Sequence, residues 1–373
     1  MYHARKIAAA VAVSALLASS TAFAQDQQKP GPDLVVYTGT GIPTDFADAL
    51  VQPFSDYMQE KYGVPVHVQT VPGQIPTVWA QLQTEWPNPS GDVYWLYNQN
   101  IRAGIEKGYW LPLRDKFTDD EWAQFDPEAM KTMDTQGYTT PMEISAWVLA
   151  VQNSVAEGRV TSMSDLADPE FAHRITFDSA LSVGSGYNAI AAAVAIRGDD
   201  WHTWFKDGKF DEDAARPAFD MVKGWAQNAL TLTQGSGSIR PLLRRGEALI
   251  SAWWWHNTVE EISSGTPIHI VEPKEGVVAL VQSGPVISAK TKNPIAAVEW
   301  AKFVYSDAAA KAAQDVGYLN KLPRQGEPAS PEWEEFSKNA KFLWVDDFRD
   351  ALLDPAYNQQ VLDLYNRVVI QGQ

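Results

Sequence analysis

The feature that most constrains this chain is a repeated alternation of short β-branched runs and amphipathic helical segments. Residues 33–37 form a β-branched run that stops at a Thr-Gly-Thr-Gly sequence, residues 46–57 have a helical apolar pattern, and residues 64–68 are extended again. A strand, a loop, a helix and a strand in this order are the unit of a parallel sheet covered by helices. The alternation continues through residues 76–107. It predicts an α/β fold with ligand sites at the carboxyl ends of strands.

A second series of the same kind begins near Ile144. It contains predicted strands at residues 147–151, 174–177 and 248–253 and predicted helices at residues 188–196 and 211–229. Residues 284–288 then have the pattern of a strand that crosses between two lobes, and residues 294–305 form a helix that rejoins the first lobe. We therefore expect a first lobe of residues 30–143 and 286–373 and a second lobe of residues 144–285.

The first 24 residues have the order of a secretory signal peptide. Arg5 and Lys6 precede an apolar run at residues 7–17, and residues 22–24 read Ala-Phe-Ala. The run is too short to span a bilayer comfortably, and the A-x-A-like sequence favours cleavage there. A buried first helix or a membrane anchor is the alternative. We expect residues 1–24 to be a signal peptide and the mature protein to be periplasmic, without direct membrane insertion.

The composition restricts the partners of the mature protein. The chain has no cysteine, so disulfides and thiolate metal sites are excluded and the fold must rest on core burial. The formal net charge of −16 argues against nucleic acid and anionic lipid, because both need compensating Lys and Arg. A local basic site inside a cleft is still compatible with this charge.

Short motifs in a definite order run through nearly the whole mature chain. They are Gly-Asp-Val at 91–93, Gly-Tyr-Trp-Leu-Pro-Leu at 108–113, Asp-Leu-Ala-Asp-Pro at 165–169, Leu-Leu-Arg-Arg-Gly-Glu-Ala at 242–248, Gly-Thr-Pro-Ile at 265–268, Pro-Lys-Glu-Gly at 273–276 and Lys-Asn-Pro at 292–294. Together they resemble the type II periplasmic solute-binding proteins of ABC importers, in the group that serves ferric iron, polyamines, thiamine and phosphonates.

The resemblance implies a two-lobed fold, in which each lobe is a mostly parallel sheet flanked by helices and two crossing strands join the lobes. A ligand that contacts both lobes binds the closed state better and shifts the population towards it. The resemblance also implies delivery of a small solute to an inner-membrane ABC permease by a monomeric protein without cofactors. A receptor that presents its ligand to a chemosensor uses the same closure of the lobes and is an alternative to import.

Three segments rich in Ser, Thr and Gly lie where the loops of such a cleft are expected. One follows the first strand and two open helices, and their candidate ligand-binding residues are Thr38, Gly39, Thr40, Ser185, Gly186, Tyr187, Ser236 and Ser238. Glycine lets a ligand approach the backbone, and free N–H groups at a helix start suit carboxylate or phosphate oxygens. N-capping is the alternative role of these residues. Arg240 is a candidate positive charge, with a solvent-facing salt bridge as its alternative.

Aromatic residues form a second group of candidates. A Trp triplet at residues 253–255 ends a predicted strand, and alternation sends Trp254 to the face opposite its two neighbours. Aromatic walls stack on planar solutes or attract cations. We therefore add Trp254, Trp255, Asn257 and Tyr97 to the candidate ligand-binding residues, although core packing is the alternative for any one of the 15 Trp residues.

Departures from related subfamilies indicate the class of solute. Polyamine binders place acidic residues against ammonium groups, whereas this chain has Gln282 at one such position and Leu181 three residues after Asp178 at another. Ferric-iron binders contribute adjacent tyrosines, whereas Tyr187 and Tyr318 are isolated. The Ser-Gly loops favour a small anionic or zwitterionic organic solute such as a phosphonate, a sugar phosphate or a carboxylate. A polyamine or ferric iron is the alternative.

A secreted hydrolase is the alternative from another functional class. The histidines of the mature chain lack metal-ligand spacing, and the sequence has neither a G-x-S-x-G elbow nor a P-loop. Asp and Glu are plentiful, so a paired-carboxylate glycosidase stays open. We expect a binding protein with no catalytic residues and no metal site.

Overall fold

A computed structural model describes residues 29–373 except residues 183, 207, 326, 328 and 355. The predicted signal peptide at residues 1–24 lies outside the described residues. The strands are β1 (Asp33–Thr38), β2 (His67–Pro72), β3 (Val93–Tyr94), β4 (Trp110–Leu111), β5 (Pro141–Gln152), β6 (Ile175–Asp178), β7 (Phe205–Lys206), β8 (Lys209–Phe210), β9 (Ala229–Thr233), β10 (Ile250–Trp254), β11 (Ile268–Val271), β12 (Val277–Ser283), β13 (Val286–Ser288) and β14 (Phe342–Trp344).

The α-helices alternate with these strands over most of the chain. They are α1 (Ile42–Tyr62), α2 (Ile75–Glu85), α3 (Asn98–Glu106), α4 (Asp119–Trp122), α5 (Pro127–Met133), α6 (Tyr187–Arg197), α7 (Glu212–Gln227), α8 (Ser236–Arg244), α9 (Trp255–Ser263), α10 (Pro294–Phe303), α11 (Asp307–Asp315), α12 (Pro331–Asn339), α13 (Asp346–Leu353) and α14 (Asn358–Tyr365). No helix of the described residues is long and apolar enough to cross a membrane.

The first sheet has the strand order β2-β1-β3-β13-β4. Strand β1 runs parallel to β2 and β3, whereas β13 runs antiparallel to β3 and β4. Helix α1 covers this sheet with an apolar stripe that includes Phe46, Leu50 and Phe54, and Trp300 of α10 packs edge-on against Phe54 at a ring-centroid distance of 5.0 Å. The 3.6-residue period of the sequence therefore places α1 on the core as predicted.

The second sheet has the order β14-β12-β5-β10-β6-β9, and β11 also pairs with β5. Strands β10, β6 and β9 are parallel, whereas β5 is antiparallel to β10, β11 and β12. The predicted α/β architecture is confirmed, but both sheets are mixed rather than mostly parallel. The reason is the connectivity, because β5 brings the chain into the second lobe and β12 takes it back in the opposite direction.

The two predicted crossings lie side by side. Gly284 N donates to Thr140 O at 2.6 Å, and Tyr305 Oη donates to Pro141 O at 3.0 Å. A Cβ at Gly284 would lie 2.4 Å from Tyr305 Oη, so only glycine fits between these segments. A third crossing follows α11, where Ile144 N donates to Asn320 O at 3.3 Å before the chain reaches α12.

The C-terminal segment departs from the predicted lobe boundaries. The sequence assigned residues 286–373 to the first lobe, but β14 pairs in parallel with β12 of the second sheet. Phe348, Leu352 and Leu364 are buried in the core of the second lobe. The chain from α12 onward therefore packs on the second lobe, because its apolar face completes a core that local sequence patterns do not reveal.

Candidate ligand-binding site

A cavity of about 620 Å³ lies between the two sheets. Residues 39–43, 73–75 and 95–97 form its wall on the first lobe. On the second lobe, the wall includes Ser185, Arg349 and residues at the starts of α8 and α9. The crossing segments contribute Met142, Glu143, Gln282 and Asn320. A solute in this cavity would contact both lobes and the crossings that connect them.

Five helices begin at the cavity without a side-chain cap. The N-cap residues of α1, α2, α3, α8 and α9 are Gly41, Gln74, Tyr97, Gly235 and Trp254, and none accepts a side-chain hydrogen bond from the first turn. Of the nine other helices in the described residues, six have a side-chain cap. The first N–H groups of a helix lack intrahelical partners and lie at the positive end of its dipole. The cavity therefore offers N–H donors suited to an anion.

Arg349 of α13 provides a positive charge in the cavity wall. The residue is only 7% exposed, and its Nε atom has no hydrogen-bond partner in the described part of the chain. The guanidinium lies over the ring of Tyr97, 5.2 Å from the ring centroid. Burial lowers the pKa of Arg349, but a guanidinium stays charged at neutral pH. The structure thus presents a buried cation with a donor that is not used within the protein.

Arg240 has the second of its two predicted roles. It donates to both carboxylate oxygens of Glu260 at 2.8 Å and lies 3.2 Å from Glu261. Hydrogen bonding to Glu260 raises the pKa of Arg240. Its charge is therefore committed to an ion-pair network between α8 and α9, outside the cavity wall.

Acceptor groups line the cavity along the crossing strand β5. Ser145 Oγ donates to Glu143 Oε1 at 2.7 Å, and the phenol of Tyr318 lies beside the same carboxyl group. Burial raises the pKa of Glu143 and raises that of Tyr318 well above its usual range. The Oδ1 atom of Asn320 is buried without a hydrogen-bond partner in the described residues.

His256 is an uncharged residue of the cavity wall, next to Asn320. Asn320 Nδ2 lies 3.4 Å from its Nδ1 atom, and burial lowers the pKa of His256 to about 4. The imidazole is therefore uncharged at neutral pH, and the acceptor at Nδ1 places its proton on Nε2. Its electrostatic contribution to the cavity is a dipole, not a charge.

The structure brings seven of the predicted ligand-binding residues into the cavity wall. These residues are Gly39, Thr40, Tyr97, Ser185, Ser238, Trp254 and Asn257. Ser236 is the first residue of α8, and its side chain lies outside the description. Alternation along β10 places Trp254 in the wall and buries Trp253, as the sequence predicted for two neighbouring residues of one strand.

Four other predicted residues do not line the cavity. Thr38 is buried with Oγ1 3.0 Å from Thr44 Oγ1, and Tyr187 accepts a hydrogen bond from Asn358 at 2.7 Å. At Gly186, a Cβ would lie 2.2 Å from the backbone of the preceding turn. Trp255 packs edge-on against Trp333 at 4.9 Å in the core. Each of these residues instead makes contacts within the protein, and local sequence patterns do not reveal such contacts.

Asp178 has a structural role in the second-lobe wall. Its carboxylate accepts hydrogen bonds from Ser185 Oγ at 2.5 Å, Thr233 Oγ1 at 2.6 Å and Gly235 N at 3.1 Å. It therefore ties the loop after β6 to the start of α8. The hydroxyl of Ser185 already donates to Asp178, so only its lone pairs are available to a solute.

Several residues of the cavity wall were not among the candidates predicted from the sequence. Arg349 lies in an ordinary amphipathic segment, and Asn320 lies in a loop with no motif. Trp95, whose buried Nε1 atom has no partner in the described residues, is indistinguishable by pattern from a core tryptophan. Glu143 had one available signal, since it is a lone charge among Pro, Met and Ile at the start of a crossing strand.

Comparison with known proteins connects this geometry to a family. The chain is similar in structure to the periplasmic binding protein P5PA, with a TM-score of 0.70 and 18% identity over 91% of this chain and 100% of that one. It is also similar to AfuA of Actinobacillus pleuropneumoniae with bound fructose-6-phosphate, with a TM-score of 0.67 and 20% identity over 91% of this chain and 98% of that one. At these identities the likeness shows a shared fold.

Sequence comparison extends over most of the chain as well. An uncharacterised protein of Haemophilus influenzae is 24% identical over 268 residues, which is 70% of each chain. The model of the bacterial extracellular solute-binding protein family matches residues 49–341, a range that includes most of both lobes and all three crossings. The chain therefore belongs to the bacterial extracellular solute-binding protein family.

Proposed function

We propose that this protein is the periplasmic solute-binding component of an ABC importer and that it captures an anionic or zwitterionic organic solute for the inner-membrane permease. The observation that carries the anion preference is Arg349, a buried guanidinium in the cavity wall with an unused donor. The carboxyl that acts on this charge is Asp346, whose pKa burial raises to about 7, and it does not hydrogen-bond the Nε donor. A ligand oxyanion that meets the guanidinium therefore gains a strong, charge-assisted bond. A phosphonate, a sugar phosphate or a carboxylate has such an oxyanion.

The uncapped helix starts support the same class of solute. Helices α1 to α3 begin at the cavity from the first lobe and α8 and α9 from the second, so both lobes offer N–H donors to an anionic solute. Such a solute binds the closed arrangement better than an open one. The fructose-6-phosphate bound to AfuA is a solute of this class in a protein of the same fold.

The charge of Arg349 disfavours the alternative solutes in its part of the wall. A polyamine or a metal ion without an anionic group is repelled by this guanidinium, and removing either cation from water adds a further cost. Against the hydrolase alternative, we propose binding without turnover, in which the solute leaves the protein chemically unchanged.

A ligand screen on the mature chain tests the proposal. Thermal unfolding is measured with phosphonates, sugar phosphates, carboxylates, spermidine, putrescine and ferric iron. A ligand at 100 times its Kd stabilises the folded protein by about 2.7 kcal/mol, which a thermal shift detects. We expect shifts with members of the anionic groups, recovered unchanged by mass spectrometry. A shift with only the polyamines or only iron would contradict the proposal, as would conversion of a bound solute.

A further inference from the structure

The cavity contains a buried carboxyl group in addition to its buried cation. Glu143 is 7% exposed and lies on β5, in the wall that both lobes share. Ser145 donates to it at 2.7 Å and Tyr318 hydrogen-bonds the same group. These hydroxyls hold the carboxyl in place but carry no charge.

No cation of the described residues neutralises Glu143. Lys321 is the candidate that the fold brings beside it, because its backbone forms a β-bridge with Glu143. Its ammonium instead lies over the ring of Tyr305 at 5.1 Å and that of Phe46 at 5.9 Å. None of the ion pairs found among the described residues includes Glu143.

A second acceptor lies next to this carboxyl group. The segment that carries Asn320 pairs with β5, through Ile144 N to Asn320 O at 3.3 Å. Asn320 Oδ1 is buried, lacks a partner in the described part of the chain, and belongs to a residue of the cavity wall. An ammonium group has three donors and no acceptor, so it suits a wall that presents a carboxylate and an amide oxygen.

We propose that the solute is a zwitterion, in which an amino group pairs with Glu143 and Asn320 while its phosphate, phosphonate or carboxylate meets Arg349. This inference rests on the proposed function, and it specifies the solute class of that site. A hydroxyl group can donate to Glu143 as well, but it brings no charge to oppose the burial that raises the pKa of this carboxyl, whereas an ammonium supplies both the proton donors and the charge that favours ionisation.

The two charged groups have a common neighbour in the cavity wall. Gln282 faces Glu143 across the β12–β5 pair, and it shares a small side cavity with Arg349. One cross-strand neighbour therefore connects the surroundings of the two charges. A molecule that reaches both occupies the part of the cavity next to the crossings, where closure of the lobes surrounds it.

Matched ligands separate the amino group from the anion. Isothermal titration calorimetry on the mature chain uses 2-aminoethylphosphonate, 2-hydroxyethylphosphonate and ethylphosphonate, and the pair glucosamine 6-phosphate and glucose 6-phosphate. We expect the amine to bind about tenfold or more tightly than its matched hydroxyl or alkyl ligand in at least one set, because a buried charge pair is involved. Glu143→Gln keeps the shape of the side chain and should reduce this ratio to near one while the affinity of the ligands without an amine is retained.

Glu299→Gln is the matched control, because Glu299 is a buried carboxylate of the first lobe that pairs with Lys61 at 2.8 Å outside the cavity. It should leave the ratio unchanged, and thermal unfolding confirms that each variant folds. Equal affinity for the amine and its matched ligands in the unmodified protein would refute the zwitterion, as would an equal loss for all ligands in Glu143→Gln. Binding of none of the five ligands would refute this inference for phosphonates and sugar phosphates, whereas the proposed anion class is decided by the ligand screen described above.

Discussion

Replacing Arg349 with Met should change ligand affinity and protein stability in opposite directions. Methionine preserves much of the length and apolar contact of the side chain but removes the charge and the donors. Truncating one partner of a buried charged pair costs about 2–5 kcal/mol. At about 1.4 kcal/mol per factor of ten, Kd for an anionic ligand should rise by about 30-fold to several thousand-fold.

The free protein should become more stable in the same variant. A buried donor without a partner costs about 1–3 kcal/mol, and Arg349 has such a donor at Nε. The cation–π contact with Tyr97, at 5.2 Å from the ring centroid, stabilises the folded protein by about 0.5–2 kcal/mol and offsets part of that cost. The net effect of the substitution is a gain on the order of 1 kcal/mol in the free energy of unfolding.

Two measurements on the same variant test this reasoning. Calorimetry measures Kd for whichever anion stabilises the unmodified protein, and urea unfolding without ligand gives the free energy of unfolding. Arg240→Met is the control, because that guanidinium pairs with Glu260 outside the cavity wall and its loss should leave Kd unchanged. The reasoning is refuted if Arg349→Met binds anions like the unmodified protein, or if it unfolds at lower urea, which would make Arg349 a structural residue.

Three further predictions concern stability and the cavity wall. Burial raises the pKa of Asp346 to about 7, so the folded state holds this proton more tightly than the unfolded state. The stability that this proton contributes is full below about pH 4 and is lost as the pH rises to about 7, with a slope of at most about 1.4 kcal/mol per pH unit. Asp346→Asn should therefore flatten the pH dependence of the free energy of unfolding, measured with urea, between these two values. An unchanged slope in the variant would contradict the prediction. Gly186→Ala should lower the melting temperature, because the added Cβ would lie 2.2 Å from backbone atoms. Gly237→Ala is the control and should not lower it, because no atom lies within 4 Å of that Cβ. Equal melting temperatures of the two variants would count against the close contact at Gly186. Trp255→Ala should lower the free energy of unfolding by about 3–5 kcal/mol, because this ring is buried in the core. Trp254→Ala should mainly weaken ligand binding, because this ring lines the cavity. The reverse pattern would show that Trp254 packs in the core and Trp255 faces the ligand.

The sequence predicted local structure well wherever a pattern of a few residues decides it. The β-branched run of β1, the apolar stripe of α1 and the small-residue segments at the starts of α6 and α8 all lie where their patterns placed them. Alternation along β10 also separated Trp254 from Trp253. These features depend on neighbours within about four residues, for which sequence periodicity is a direct record of the buried face.

The sequence did not predict which distant segments share a core. Phe348 and Leu352 have the same helical pattern whether α13 covers the first sheet or the second, so the assignment of the C-terminal segment to the first lobe was wrong from α12 onward. Trp255 and Tyr187 were likewise reasonable candidates by local pattern, but the structure buries both outside the cavity.

The amino-acid sequence by itself determined the α/β alternation, the two lobes with their crossing strands and the loops that reach the cavity, because these follow from local periodicity and from motif order. Only the tertiary structure decided which charges the solute meets. Arg349 and Glu143 are 206 positions apart; Arg349 has no local signature of binding, and Glu143 has only its position as a lone charge at the start of a crossing strand. They became candidates because folding buries both in one wall without an ion-pair partner among the described residues, and the energetic cost of such burial is a property of the environment and not of the residue type.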